Sequence, residues 1–449
     1  MSFTQKYASW FKRILPSPFS IAVILTIVIF ILSYSVSNKN VSTLLVDWQA
    51  GLWSSNLLAF AFQMMLMLVL GHALALSKFF DFTISKLISP LNTTAQAASV
   101  VIFTTIIVAF VNWGLGLIFG AIIARKIGES FTKKQLPLNY PLVGAAGYVG
   151  LMVWHGGISG SALSKVAEYG HLREIANAPS LPEAISYGDT VFSTMNITAF
   201  ILLLIILPVV FYFIGTRSKS KVPSILTTTK TLTAKRSPKG AEQIDESAVI
   251  SKLIGLLLVG LAIYIAATSN GTALSFITPN YINFTMLALC LLLHKNFNAF
   301  LRAVDDAIKG SSGILIQFPL YFGILALMQS GGLIEVISNW FIAISNQQTL
   351  PIFTFFSAGL VNIFVPSGGG QWAIQGPIII EAATKLGVPL NKMILALAYG
   401  DQLTNMLQPF WALPLLSITG LKAKEILPYT LILMMLGLIV FLGVLVLFQ

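Results

Sequence analysis

The sequence predicts an all-α polytopic membrane protein with about nine transmembrane helices and two re-entrant hairpins. These are arranged as two inverted-topology repeats with broken helices. Three observations carry that expectation. Of 449 residues, 56% are hydrophobic and only 10% are charged, whereas a soluble domain carries about a quarter of its residues as charged side chains. Apolar runs able to cross about 30 Å of hydrocarbon recur along the chain. Two of those runs are interrupted near their centres, at NWGLG (112–116) and PSGGG (366–370).

The elements follow in order. In MSFTQKYASWFKR, Phe3, Tyr7, Trp10 and Phe11 share one helical face with Lys6, Lys12 and Arg13 beyond it, so residues 1–13 are expected to form an interfacial amphipathic helix. Residues 14–36 exceed the length of a cleaved apolar signal and lack an A-x-A exit, and are read as the first span. Further spans are expected at 56–77, 140–164, 190–214, 250–268, 280–295, 313–331, 391–417 and 428–448. Two segments, 92–124 and 346–384, are too long for one crossing and too short for two. Lys78 and Lys86 precede the first of them, and Arg125, Lys126, Lys133 and Lys134 follow it. Both ends therefore face the cytoplasm, and the segment enters and returns.

Charge orients the rest. With the N-terminus inside, only Lys39, Lys165, Arg173, Lys385 and Lys392 lie outside, which leaves 22 of the 27 Lys and Arg cytoplasmic. Drawing either hairpin as a single crossing spoils this positive-inside distribution. The net charge of +11 is thus a topological bias, and nucleic acid is not an expected partner. Residues 216–249, basic and rich in Ser, Thr and Pro, read as a flexible cytoplasmic linker. The lone Cys290 excludes an intramolecular disulfide and fits no thiolate metal site.

The halves resemble each other weakly but in order. VDWQAGLWSSNLL (46–58) matches VDDAIKGSSGILI (304–316), IIVAFVNWG (106–114) matches FFSAGLVNIF (355–364), and AAGYVG (145–150) matches ALAYGD (396–401), at offsets of 250 to 258 residues. The first repeat is placed at 14–215 and the second at 269–449. An extra helix, 250–268, turns the second repeat over. Inverted repeats with interrupted helices are a transporter signature, with substrate held at the midplane between them.

Unpaired backbone groups in hydrocarbon cost several kcal/mol, so a broken helix survives only against protein or a watery cavity. Besides the hairpin tips, breaks are expected in LMVWHGGISGS (151–161) and GDQLTNMLQP (400–409), with Pro409 at the first position of a resumed helix. Each resumed helix presents free N–H groups and a positive dipole end, which suit an anion such as a carboxylate. At Ser367, Gly368, Gly369 and Gly370 no bulky side chain shields those donors. Gln371, Trp154, His155 and Gln408 complete the candidate substrate contacts. Four of the eight tryptophans, Trp113, Trp154, Trp372 and Trp411, adjoin the breaks and are expected to wall an apolar pocket. Side-chain oxygens of Asn112, Asn362, Thr404 and Asn405, with Asp401, are candidates to hold a coupling cation. No Lys or Arg is expected at depth, which suits a monoanion, or a substrate whose charge a cation offsets.

Plainer readings compete. SGGGQW is no nucleotide loop, because no G-K-[ST] follows it, but it also reads as a packing cluster of glycines. His155 reads equally as a hydrogen-bonded core imidazole; Asp401 at membrane depth reads as functional. Ser193, Thr194, Asn196 and Thr198 are expected to make helix contacts, Met64, Met65 and Met67 to fill the core, and Glu381 and His72 to sit near span ends. A membrane-embedded hydrolase using His155 and Asp401 is a further alternative, although they lie 246 positions apart and no G-x-S-x-G motif is evident.

At VPSGGGQWAIQGP, VNWGLGLIFGA and YGDQLTNMLQPFWALP the sequence resembles the bacterial short-chain fatty acid transporters of the acetoacetate and butyrate permease type, over its whole length. That family is similar in architecture to a wider ion-transporter superfamily. The resemblance implies a homodimer in the bacterial inner membrane that takes up short monocarboxylates with H⁺ or Na⁺ by an elevator-like alternating access, without a resident cofactor. A sodium-coupled dicarboxylate carrier or a cation/proton antiporter is the alternative within that superfamily. Better-known relatives bind carboxylate and sodium through hairpin Ser-Asn-Thr motifs; here the tips read Asn-Trp-Gly and Ser-Gly-Gly-Gly.

Overall fold

A computed structural model describes residues 18–176, 178–223, 240–268, 276, 278–308, 312–364 and 367–448. The expected N-terminal amphipathic helix and most of the central linker lie outside these residues. Among the described residues the secondary structure is helical apart from one bridge between Leu138 and Lys221.

The first half runs α1 (Pro18–Val36), α2 (Val41–Leu52), α3 (Ser55–Ala75), α4 (Lys78–Ile88), α5 (Thr94–Val111), α6 (Trp113–Lys133), α7 (Tyr140–Tyr148), a 3₁₀ turn (Val149–Met152), α8 (Ser161–Val166), α9 (His171–Ile175) and α10 (Thr194–Arg217). A short α11 (Glu242–Glu246) and the long apolar α12 (Ala248–Thr268) follow. The second half runs α13 (Pro279–Leu293), α14 (Phe297–Ile308), α15 (Ser312–Ser330), α16 (Leu333–Ala343), α17 (Leu350–Phe364), α18 (Gly368–Leu386), α19 (Leu390–Thr404), a 3₁₀ turn (Asn405–Leu407), α20 (Pro409–Thr419) and α21 (Ala423–Leu447). The order of elements recurs. A 12-residue helix, a long apolar helix and an 11-residue helix precede a two-helix hairpin in each half. A helix that tightens to 3₁₀ before it breaks comes next, and a 24- or 25-residue helix closes the half.

Among the described residues, five uninterrupted helices are long and apolar enough to cross a membrane: Phe19–Val36, Thr94–Val111, Thr194–Arg217, Ala248–Thr268 and Ala423–Leu447. The other expected spans are short, bent or broken. The pair α15 and α16 bends by 59°, and α13 has only 15 residues. The first hairpin is longer than expected. Its arms occupy 94–111 and 113–133, so the return arm passes 124 and carries Arg125, Lys126 and Lys133 on the helix. At 1.5 Å per residue its 18-residue first arm is about 27 Å long, nearly a full crossing. The second hairpin lies at 350–386 rather than 346–384.

The break at NWGLG is also tighter than its glycines suggest. Asn112 alone is extended (φ −151°, ψ 126°), and Gly114 and Gly116 are helical. Asn112 Oδ1 accepts from Leu115 N, so one side chain starts the new helix and satisfies one of its free donors. Ser367 does the same in the second hairpin, at φ −150°, accepting from Gly370 N. The glycines at 114 and 116 serve packing instead: added side chains there would run into Met67 and Ala109. Gly120 and Gly147 likewise face each other's carbonyls where α6 crosses α7, so the first hairpin and the first broken helix meet backbone to backbone.

Candidate functional site

The two broken helices cross-brace one another. Gln402, on α19, lends Oε1 to the N–H groups of both His155 and Gly156 at 2.9 Å. Asn405 Nδ2 donates to Leu151 O at 3.3 Å. Tyr148 hydroxyl lies 2.9 Å from Asn405 O and 3.0 Å from Gln408 O, so one proton serves both carbonyls of the opposite break. Tyr399 returns the favour: its hydroxyl donates to Asn196 Oδ1, and Asn196 Nδ2 donates to Gly156 O and Val191 O, both at 2.7 Å. These partners supply the bonds that a broken helix cannot supply itself.

Each hairpin tip docks on the broken helix of its own half. Trp113 N donates to Ser159 Oγ, and Ile158 N to Phe110 O. Asn362, at the end of α17, donates through Nδ2 to Asp401 O at 2.7 Å, Asn405 Oδ1 at 2.9 Å and Thr404 Oγ1 at 3.0 Å. Gln408 Nε2 in turn donates to Asn362 O.

The second tip also reaches across to the first break. A Cβ on Gly368 would lie 2.7 Å from Trp154 Cη2, 2.9 Å from His155 Cε1 and 3.0 Å from Asp401 Oδ2. Trp154 stacks on His155 with centroids 4.6 Å apart, and Trp113 lies 5.8 Å from Trp154 and 5.3 Å from Trp411. Thus one indole, Trp154, bridges the two hairpin tips. His155 and Asp401 are fully buried, with Nδ1 2.6 Å from Oδ2. The approach is out of line with the ring N–H, so neither carboxylate oxygen has a well-formed hydrogen bond among the described residues. His155 Nε2 accepts from Ala162 N at 3.0 Å, which places the proton of the neutral ring on Nδ1, facing Asp401.

Further buried polar atoms here have no partner among the described residues: Trp154 Nε1, Asn362 Oδ1, Gln371 Oε1 and Gln408 Oε1. Such atoms are uncommon in folded interiors and cluster where ligands bind. Helix geometry leaves the N–H groups of Gly368 and Gly369 outside the ladder of α18, whereas Ser367 Oγ takes that of Gly370.

The structure therefore gathers Trp154, His155, Gly368 and Asp401 at one point, with Asn362, Thr404, Asn405 and Gln408 immediately beside it. Asn112 and Trp113 stand at the other tip. Gln371 is turned into the second hairpin, donating to Ala358 O and Gln375 Oε1. Trp372 is separated from the other three tryptophans and donates to His171 Nε2 at 3.0 Å. The sequence reading missed Gln402, Tyr148, Tyr399 and Ser159. The match of AAGYVG with ALAYGD already set Tyr148 opposite Tyr399, and Gln402 adjoins Asp401; Ser159 carried no signal.

Two expected results follow from these contacts. Gln402→Leu strands two buried N–H groups, each worth about 1–3 kcal/mol, and should lower the melting temperature in detergent by several degrees; an unchanged melting curve would refute the bracing role. His171, in the segment between α8 and α10, has its pKa lowered, by burial first and by Lys165 second. Neutral His171 accepts from Trp372, so this bond is whole above the ordinary histidine value of about 6.5 and is lost as the pH falls through the lower folded value. Hydrogen exchange in the first turns of α18 should rise on acidification in the wild type but not in His171→Gln, which keeps an acceptor.

Among the described residues, several apolar helices are long enough to cross a membrane, and broken helices brace one another around a buried His–Asp pair, the architecture of a multi-pass membrane protein. The sequence pattern of the family described as "Short chain fatty acid transporter" matches residues 2–448, and the chain belongs to that family. It is 37% identical over 426 residues to a protein of Escherichia coli K12 and 36% identical over 428 residues to one of Haemophilus influenzae Rd. Each alignment covers 93% of both chains, and both relatives are named for a proposed role in short-chain fatty acid transport. The chain is a transporter, not a hydrolase. Among solved structures it is similar to the Alcanivorax borkumensis YdaH transporter (TM-score 0.45, 14% identity, covering 95% of this chain and 99% of that one). It is also similar to Neisseria gonorrhoeae MtrF, described among antimetabolite efflux pumps (TM-score 0.40, 12% identity, covering 98% and 97%).

Proposed function

We propose that this protein is a secondary active transporter that carries short monocarboxylates such as butyrate and acetoacetate across the cytoplasmic membrane together with a proton. The single observation behind this reading is the seat of Gly368 over Trp154, His155 and Asp401. The free N–H groups at the start of α18 receive the carboxylate, and the indoles of Trp154 and Trp113 flank a short acyl tail. A substrate carboxylate held there stands beside Asp401. Two like charges about 4 Å apart repel by about 4 kcal/mol at an effective dielectric of 20, so the anion binds once Asp401 has taken a proton. The incoming proton goes to Asp401 Oδ1, which has no hydrogen-bond partner among the described residues.

That order couples one proton to one monoanion. Sodium is less well supported, because the amide hydrogens of Asn362 fill the space among Asp401 O, Thr404 Oγ1 and Asn405 Oδ1, three of the oxygens a cation would need. The recurring order of elements supports two repeats; the charge distribution along the sequence supports an N-terminus inside, and alternating exposure of the site in a homodimer follows from the family resemblance. The test is uptake of labelled butyrate, acetoacetate and succinate into proteoliposomes under separate pH and Na⁺ gradients. Accumulation of the monocarboxylates driven by an acid exterior supports the reading. Succinate uptake driven by Na⁺ alone would replace it with the dicarboxylate alternative.

A further inference from the structure

The two hairpin tips occupy equivalent places in the two halves, yet their surroundings differ in volume. At the first tip, Trp113 and Gly114 share with Met67, Phe318, Trp411 and Pro414 a cavity of about 10 Å³, at the threshold for a single water. Phe318 and Phe410 stack 3.9 Å apart behind it, and Phe410 meets Trp411 at 4.9 Å. Aromatic packing therefore leaves almost no free space beside the first tip. At the second tip, a Cβ on Gly370 would lie 3.6 Å from Leu325 Cδ2. Leu325 is also one wall of a cavity of about 490 Å³ between α2 and α15, whose polar lining includes Asp47, Ser54, Gln329 and Ser330. Lys39 Nζ lies 2.9 Å from Asp47 Oδ2, so the cavity does not confront an anion with an unpaired carboxylate.

We propose that the 490 Å³ cavity is the vestibule through which a small carboxylate reaches the second hairpin from outside, with Leu325 as its inner wall, and that the aromatic packing at the first tip seals the cytoplasmic route in this same conformation. The inference rests on the transport reading and its orientation, which put Lys39 and the end of α15 outside. It adds to that reading a defined entrance and a named gate on each side. Repeats that exchange conformations would then close Leu325 onto Gly370 and part Trp113 from Trp411 to release the substrate inward.

Cysteine accessibility tests this without background, because the lone natural thiol, Cys290, is fully buried. Ser54→Cys, with Ala50→Cys as a second position should the first fail to fold, is treated in inside-in proteoliposomes with a membrane-impermeant thiol reagent. The expected result is labelling from outside, slowed at least threefold by saturating butyrate, and loss of at least nine-tenths of butyrate uptake once labelled. Labelling only from inside, labelling that butyrate does not slow, or labelled protein with unchanged uptake would overturn the vestibule. Because labelling is read by mass, it is independent of transport. Outside labelling slowed by butyrate in a protein that accumulates no monocarboxylate would leave the vestibule standing and sink the transport reading instead.

Discussion

Replacing Asp401 with Asn is expected to abolish pH-driven accumulation of butyrate while preserving exchange of internal for external butyrate. The amide resembles the protonated acid in shape and charge, so the seat under Gly368 stays neutral and still admits the carboxylate. What it cannot do is give up a proton and reset. The variant therefore reports on coupling separately from binding. Accumulation in a tenfold pH gradient should fall to the equilibrium level, whereas counterflow should remain within a few-fold of wild type. Loss of both activities in a folded protein would make Asp401 a structural group. Retention of both would remove it from the coupling reaction.

The second large effect is steric. Gly368→Ala places a methyl 2.7 Å from the Trp154 ring, 2.9 Å from His155 and 3.0 Å from Asp401. All three neighbours are buried, and Trp154 and His155 are stacked, so none yields cheaply. Overpacking of this kind costs about 1–3 kcal/mol, and the methyl also covers the donors that would receive the carboxylate. Uptake should fall by about tenfold or more, since each 1.4 kcal/mol is a decade. Gly369→Ala is the matched control: its added methyl meets nothing nearer than Ser161 at 3.9 Å. If the two alanines behave alike, the seat of Gly368 is not the functional contact, and the glycine run serves backbone freedom alone.

Much of the architecture was legible in the chain. The four interruptions could be read because Gly, Pro and Asn in apolar runs conflict with an uninterrupted helix, and two of them lay at matching places in the halves. Boundaries were less legible. Arg125, Lys126 and Lys133 looked like a loop because they are charged, but each belongs to α6, where Arg125 pairs with Glu129 and donates to Ile418 O. Composition cannot tell a charged helix end near the membrane surface from a loop. The glycines of the two hairpin tips look alike in the sequence but do different work in the fold. Gly114 and Gly116 lie inside a helix and allow close packing, whereas Gly368 opens a helix against the His–Asp pair.

The site itself was legible in its members but not in its pairing. His155 and Asp401 are 246 positions apart, and no local pattern announces that they touch. Trp372 was grouped with Trp113, Trp154 and Trp411 by its place in the sequence, but it falls a turn beyond Gly368 and faces His171. The bracing residues Gln402, Tyr148 and Tyr399 act across the two halves. Such contacts become visible only when the repeats are folded against each other.

Proton uptake on substrate binding tests the coupling most directly. Purified protein in weakly buffered detergent at pH 7.5, titrated with butyrate adjusted to the same pH, should take up about one proton for each butyrate bound. Asp401→Asn should bind butyrate with no proton change. Binding by the wild type without proton uptake, or with release, would contradict a carboxylate that must be neutralised before the anion can take its place.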